Sequence, residues 1–518
     1  MPTLSRVEIK VICLRGFLFM GHLVKTDRES LHILLGETPM EKFTKPAGTN
    51  DFLPEQMVQR NFVENIVRET YESYGYAQIQ TPLFESFALL SAQSGEEIRH
   101  KMFTFVGPDR VDYALRPELT APVCRIIANG DLQHISYPYK LYYIGQCVRQ
   151  EPKTDNPDVR REFRQAGVEL IGPASALADA EIITIPVRIL EKLNISQKKL
   201  KIGNTGVFRE IFKQIDLDPK DHSEVILDID HLSRLRVESQ LLDLATLRDE
   251  LNQLRRLQGP DYQGEHKIDI ATIQELTENN ASVWTEKLPM IAEETYKARW
   301  HQYFNISEEI AQRCIDISKI SGDKESVMET WETLPNNTAQ GVRNEMLALC
   351  ECLENYGITD FEINLGITRG FDFYTGTVFQ IELPDKNLSI CGGGRYDRLI
   401  ENFGGPSVPG AGFAFQFDVL MEAFSETHNE PVQSKKDYFI ATTSIDLIPE
   451  AQRLAETLRS SGKTVEMDLM EHDLQAQHNY AAEANYDFVI NLIPDQPMQR
   501  IDLKTKNTEA VTLKDLDK

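Results

Sequence analysis

The chain contains no apolar run approaching the roughly 18 to 20 residues that a membrane-spanning helix needs, so a helical membrane protein is excluded. Cysteine is scarce, with seven among 518 residues, at positions 13, 124, 147, 314, 350, 352 and 391. No Cys-x-x-Cys pair and no regular framework connects them, so neither a zinc ribbon nor a disulfide scaffold is expected. A reducing, cytoplasmic setting is the simplest reading. No P-loop, serine-triad or His/Cys metal pattern is evident. Basic residues are in deficit: 55 Lys and Arg stand against 80 Asp and Glu, a net charge of -25. That bears on solubility and long-range fields, not on fold. Any contact with nucleic acid has to be made by a local basic patch.

What is there is ordinary globular sequence, 41% apolar and 26% charged, long enough for two to four domains. Residues 1–39, with the apolar run Val11 to Met20, lack the flanks of a signal peptide and read as a dispensable extension or a misassigned start. A helix is expected over 56–74, with Val58, Phe62, Ile66 and Thr70 to Tyr71 on its inner face and Gly75 as its stop. Short strands are expected at Tyr76 to Gln80, Met102 to Val106, Asp112 to Leu115 and Leu141 to Val148, then a helix from Ala180 to Leu193. This is an α+β pattern with antiparallel strands, covering 40–198. From 199 to 355 long charged helical runs read as an insertion. Leu244, Leu247, Leu251 and Leu254 there mark a core-facing amphipathic helix rather than a coiled coil. Strand sequence resumes at Phe361, and 356–426 completes the interrupted domain. After a polar linker, alternating strand and helix patterns over 437–518 form a small α/β domain.

The chemistry-bearing segments are few. In Leu115-Arg-Pro-Glu-Leu-Thr-Ala-Pro122, Glu118 and Thr120 stand two apart. On extended backbone they share a face and orient an N–H; at a helix start they are a cap. Arg149-Gln-Glu151 closes a strand, and the chain returns through Arg160-Arg-Glu-Phe163 to Gln165 and Glu169, four apart on one strand face. They make either an amine clamp or a solvated surface. Arg369-Gly-Phe-Asp-Phe-Tyr374 offers a planar fork for phosphate or carboxylate, with Tyr374 either a hydroxyl donor or a core ring. Gly392-Gly-Gly-Arg-Tyr-Asp397 suits a tight ligand floor better than a phosphate loop.

Taken in this order, these segments resemble histidyl-tRNA synthetase, a class II aminoacyl-tRNA synthetase, and its paralogue, the regulatory subunit of ATP phosphoribosyltransferase. The resemblance runs from about Lys45 to the C-terminus. It implies an antiparallel sheet flanked by helices, with the helical insertion and an anticodon-binding-like C-terminal domain. Pro82 looks like the proline of motif 1, at that family's dimer interface, and Arg149 through Glu169 looks like motif 2. Carried over by position, Glu118, Thr120, Gln165, Glu169, Arg369 and Tyr374 would hold histidine. Arg149, Glu151 and Phe163 would hold ATP, and Arg149 and Arg369 would be the catalytic pair at the α-phosphate. The resemblance further implies ATP with Mg2+ as substrate, tRNA(His), a homodimer, no prosthetic group and no metal held by protein side chains.

Three departures stand out. Where motif 3 ends in an arginine that clamps the ATP tail, this chain has Gln416-Phe-Asp-Val419; Phe373 replaces a tyrosine; and the loop Pro152 to Arg160 is unlike the family's. Arg395 or Arg398 is expected to compensate for Val419. The C-terminal stretch 436–518 carries nine Lys or Arg against fifteen Asp or Glu, net -6, which argues against strong tRNA binding. Histidine-tRNA ligase is the expected function. The alternative is a non-catalytic histidine sensor acting on the catalytic subunit of ATP phosphoribosyltransferase.

Overall fold

The computed structural model describes residues 43–92, 96–150, 160–260, 262, 264–278, 280–335, 339–370, 373–384, 388–428 and 436–516. The extension 1–39 and Glu151 lie outside the described residues. Residues up to Asp51 cluster separately from the unit that begins at Phe52, and the architecture below is that of the second unit.

Nine strands form its central sheet: β1 (Ala77–Gln78), β2 (Tyr139–Val148), β3 (Glu162–Ile171), β4 (Lys199–Asn204), β5 (Ser321–Gly322), β6 (Glu362–Asn364), β7 (Thr377–Leu383), β8 (Leu388–Arg395) and β9 (Gly410–Gln416). Their order is β1-β2-β3-β9-β8-β7-β4-β6-β5. All neighbours are antiparallel except β1 with β2 and β4 with β6. β2 and β3 pair along their whole lengths, from Tyr139 opposite Ile171 to Val148 opposite Glu162. Beside this sheet, Phe84–Ser86, Thr104–Val106 and Asp112–Leu115 form a small three-stranded one. Arg116 ties the two together, donating to the carbonyls of Thr81 at 2.7 Å, Pro82 at 3.1 Å and Gln146 at 2.7 Å.

Helix α1 (Pro54–Ser73) and helix α3 (Ala176–Lys192) cover one face of the sheet, and α2 (Thr120–Ala128) packs with Tyr139, Tyr143 and Tyr396 in a second cluster. α3 starts where Ser175 caps the Ala178 amide, and it fully buries Ile182, Ile183, Ile185, Ile189 and Leu190. Each such side chain contributes about 1.5–3 kcal/mol of transfer free energy. The inner face of α1 keeps the expected Thr70 and Tyr71 but otherwise differs from the expected one. Val63, Val67, Thr70 and Tyr71 are buried, whereas Phe62 lies outward, its ring 5.8 Å from that of Phe424.

Lys199–Asn204, expected to open the helical insertion, is instead sheet strand β4, paired on both sides. Its alternating Lys-Leu-Lys-Ile pattern is a strand signal that the long helical runs downstream obscure. The helices beyond it include Pro219–Glu238, Leu244–Gln258, Ala281–Phe304 and Glu308–Ser318. Leu247, Leu251 and Leu254 are fully buried, as a core-facing helix requires. The C-terminal sheet combines β10 (Tyr438–Ala441), β11 (Val465–Met467), β12 (Phe488–Asn491), β13 (Gln499–Asp502) and β14 (Thr508–Ala510) in the order β11-β10-β12-β13-β14. Its first three strands run parallel, and the two added strands are antiparallel. The described cysteines are all free. Among the described residues no helix is long and apolar enough to cross a membrane.

The pairing of β8 with β9 leaves no room for a side chain at Gly393, where a Cβ would lie 2.1 Å from the Gly412 carbonyl oxygen. Gly393→Ala is therefore expected to lower the thermal unfolding midpoint by several degrees. Gly341→Ala, at a helix start with nothing within 4 Å, should leave it unchanged. Equal midpoints in a calorimetric scan would show that the sheet can open at β8.

Candidate active site

A cleft of about 770 Å³ opens over the middle of the sheet, lined among others by Glu118, Thr120, Arg149, Phe163, Gln165, Arg369, Tyr374 and Val419. β3 supplies one wall. Phe163, Gln165, Gly167 and Glu169 alternate onto one face, as period-two backbone requires. Gly167 leaves space there, since a Cβ would meet the Tyr143 hydroxyl at 2.7 Å. Arg149, one residue past β2, donates to the Pro117 carbonyl at 3.0 Å, and its guanidinium lies 4.9 Å from the Phe163 ring centre. An arginine fixed between a carbonyl and a ring is ready for an anion.

Arg369 approaches from the opposite side. It follows the short strand β6 through a turn, and its φ is +71°. That left-handed conformation costs an L-residue about 1–2 kcal/mol. Asp230, from the helix Pro219–Glu238, offsets it: one carboxylate oxygen accepts from the Arg369 amide at 2.8 Å and from the Thr368 amide and hydroxyl at 3.1 Å. The guanidinium lies across Gly392, where a Cβ would stand 2.0 Å from Cζ. Its Nη1 donates to Gln380 at 3.3 Å and Ser389 at 3.2 Å. Its Nε is buried without a hydrogen-bond partner among the described residues.

Glu118 and Thr120 do not share an extended face. The backbone turns helical at Leu119, and α2 begins at Thr120. The buried Glu118 carboxylate therefore caps the helix, accepting from the Thr120 and Ala121 amides, while both residues still line the cleft. Burial raises the Glu118 pKa; those amides and Arg149 oppose the rise. Gln165 lines the cleft and accepts from the Cys147 thiol. Glu169 is withdrawn. Only 1% exposed, it lies under the floor, where Tyr143 donates to it at 3.0 Å and Tyr396 donates to its other oxygen. Burial lifts its pKa to about 8, against the hydrogen bonds of Tyr396, Thr120 and Tyr143. Tyr374 is buried on the cleft wall with its ring against Gly394, and its carbonyl accepts from Arg209 at 2.8 Å. The Phe373 ring lies beside it, tilted by 55°, with ring centres 4.7 Å apart.

The expected compensation by Arg395 is overturned. Arg395 is held by Asp179, Asp397 and the Pro173 carbonyl, and with Arg398 it lines a different cavity. Strand alternation explains this, because Gly392, Gly394 and Tyr396 face the cleft and Arg395 points away. Four participants were not foreseen: Tyr143, Tyr396, Arg209 and Asp230. Tyr143 stands opposite Gly167 and Tyr396 follows the glycine run, so both carried a local signal. Asp230 is 139 residues from Arg369 and carried none.

A sheet of this order, with a glycine floor and arginines on both sides of the cleft, is the fold of class II aminoacyl-tRNA synthetases. Solved histidyl-tRNA synthetases from Nostoc sp. PCC 7120 and S. aureus share it, with TM-scores of 0.63 and 0.60 at 22% and 23% identity. Each alignment covers 92% of this chain and 99% of the other. The family model described as histidyl-tRNA synthetase matches residues 48–299 and 295–420. The histidine–tRNA ligase of Methanococcus maripaludis strain C6 is 33% identical over 446 residues, 85% of this chain and 90% of the relative. That of Methanocaldococcus jannaschii is 32% identical over 482 residues, 92% and 95% of the two chains. The chain belongs to the histidyl-tRNA synthetase family.

Between pH 4.5 and about 8 folded Glu169 keeps a proton that the unfolded chain has released. Stability therefore falls as pH rises through that window, by up to about 1.4 kcal/mol per unit, and levels off above it. Glu169→Gln stays neutral throughout. Its thermal midpoint should decline less between these limits than that of the parent, and parallel declines would show an ionised Glu169.

Proposed function

We propose that this chain is a histidine-tRNA ligase: it joins histidine to ATP as histidyl-adenylate with release of pyrophosphate, then passes the histidyl group to tRNA(His) with release of AMP. One observation carries the reading: Arg149 and Arg369 face one cleft from opposite sides, with polar groups suited to an amino acid between them. Attack by the histidine carboxylate on the α-phosphorus adds negative charge to the phosphate oxygens. Two fixed guanidinium groups there stabilise the charge without reorganising. Glu118, Thr120 and Gln165 supply acceptors for the ammonium group, and Tyr374 with Glu169 below it supplies polar partners for the imidazole. Phe163 offers a flat face for the adenine. Magnesium enters with ATP as part of the substrate. A protein nucleophile is not required, because positioning and electrostatics carry the step.

The chain works as a homodimer in this reading. Leu83, Phe84, Phe105, Val106 and Val111 are exposed around Pro82, and the Phe84 ring lies 5.7 Å from Phe105 and 5.4 Å from Tyr113. An exposed apolar group of that size is what an interface covers. Phe84→Asp is expected to shift the mass found by light scattering from two chains to one. A parent that already runs as a monomer would sink this assignment.

Histidine-dependent ATP–pyrophosphate exchange tests the activity itself. The parent should exchange, and Arg369→Ala should lose about 100- to 1000-fold, as for other fixed donors at a developing anion. Histidine binding with no exchange in the parent would instead support the non-catalytic histidine sensor.

A further inference from the structure

We propose that Glu265, His266 and Glu294 form a binding site for one divalent cation of the zinc class on the helical insertion. The site is separate from the cleft, which none of these residues lines, so it does not depend on the ligase reading. Glu265 and His266 belong to the loop after the helix Leu244–Gln258, and Glu294 to the helix Ala281–Phe304. One ring nitrogen of His266 and one carboxylate oxygen from each glutamate lie within 4.8 Å of one another. His266 Nδ1 stands 3.1 and 3.0 Å from the two Glu294 oxygens. Ligand atoms about 2.0 Å from a tetrahedral zinc ion are about 3.3 Å from one another. The imidazole and Glu294 therefore already stand close to that separation, and the exposed Glu265 carboxylate has only to swing in. The ligands come from two segments of the chain, so no sequence spacing announces them.

Charge and an orphaned hydroxyl both favour a cation here. Two carboxylates facing one imidazole keep an excess of negative charge whichever way the ring is protonated, and the chain's net charge of -25 adds to the attraction. Lys267, the adjacent base, is turned to the Pro260 carbonyl at 3.0 Å. Tyr262 is only 7% exposed, and its hydroxyl has no hydrogen-bond partner among the described residues. The hydroxyl lies beside Gly264, where a Cβ would come within 2.1 Å of it, and burial, with the Glu294 carboxylate adding to the effect, raises its pKa. The neighbouring Thr295 hydroxyl already donates to the Ile291 carbonyl at 2.7 Å and accepts from Gln258 at 3.0 Å. A buried hydroxyl left unpaired is costly unless water or an ion serves it. Three protein ligands leave zinc a fourth position for water, and that water is the partner Tyr262 lacks. One imidazole with two carboxylates suits zinc, whereas magnesium and calcium take all-oxygen sites. Bound there, the ion pins the loop to the helix whose Arg299 and Trp300 hold Asp228.

The test titrates the chelator-treated full chain with Zn2+ by calorimetry in millimolar Mg2+, and with Co2+ as a spectroscopic probe. The parent should take up one Zn2+ per chain that Mg2+ does not displace, and its Co2+ form should show no thiolate charge-transfer band. His266→Ala and Glu294→Gln should abolish this binding, and Tyr262→Phe should weaken it about tenfold, as loss of an outer partner does. Because the first two variants also lose the ion pair between His266 and Glu294, Glu265→Ala separates metal binding from folding. It should lower the zinc affinity while leaving the metal-free thermal midpoint unchanged. No zinc uptake by the parent, displacement by Mg2+, a thiolate band that places the ion on cysteines, or equal affinity in Glu265→Ala and the parent would overturn the proposal.

Discussion

The site depends on a row of missing side chains. Gly392, Gly393 and Gly394 on β8, with Gly412 opposite on β9, let three bulky groups occupy the surface of a sheet that side chains would otherwise fill. A Cβ at Gly392 would overlap the Arg369 guanidinium, one at Gly394 would press the Tyr374 ring, and one at Gly412 would come within 2.0 Å of a Glu169 oxygen. Gly393 acts differently, by keeping the two strands close enough for their ladder to form. Glycine weakens a strand, and β8 bears that cost at the centre of the sheet, where β7 and β9 hold it on both sides.

Burial then sorts the acids. Glu118 and Glu169 are both almost inaccessible, yet their surroundings differ. Glu118 has two backbone amides and a nearby arginine; Glu169 has two tyrosine hydroxyls and an apolar surround, and its pKa rises to about 8. Burial raises both, and the amides and the arginine at Glu118 oppose that rise. The result is a cleft with arginines at its mouth and a protonatable acid beneath its floor.

The fold class and most site residues were legible because they leave local marks. Period-two spacing put Phe163, Gln165 and Glu169 on one face, and the glycine run announced a close approach. The inner face of α1 holds Thr70 and Tyr71 as expected, but Phe62, which looks like a core residue, is exposed and the charged Arg60 is buried. β4 was lost to the helical pattern that follows it. The compensating role expected of Arg395 failed on one parity step of the strand, since neighbours in a strand point to opposite sides. The partners of Arg369 were illegible for another reason: Asp230 belongs to a different segment of the chain, and no spacing encodes such a contact.

That contact changes what the helical insertion does for the site. An arginine in the left-handed region reverts unless its surroundings over-determine it, and here the over-determination comes from outside the sheet. One Asp230 oxygen serves both the Thr368 and Arg369 amides, so the direction in which the guanidinium crosses Gly392 follows from the position of the helix Pro219–Glu238. That helix is in turn packed into the insertion through Asp228, which accepts from Trp300 at 2.8 Å and from Arg299 at 2.6 Å. The two arginines of the cleft are therefore held differently: Arg149 by the segment that leads into α2, and Arg369 by the insertion at its backbone and by Gln380 and Ser389 of the sheet at its guanidinium. A displacement of the insertion pulls on the Arg369 backbone while the sheet holds its guanidinium, and catalysis by a pair of fixed charges is sensitive to strain of that kind.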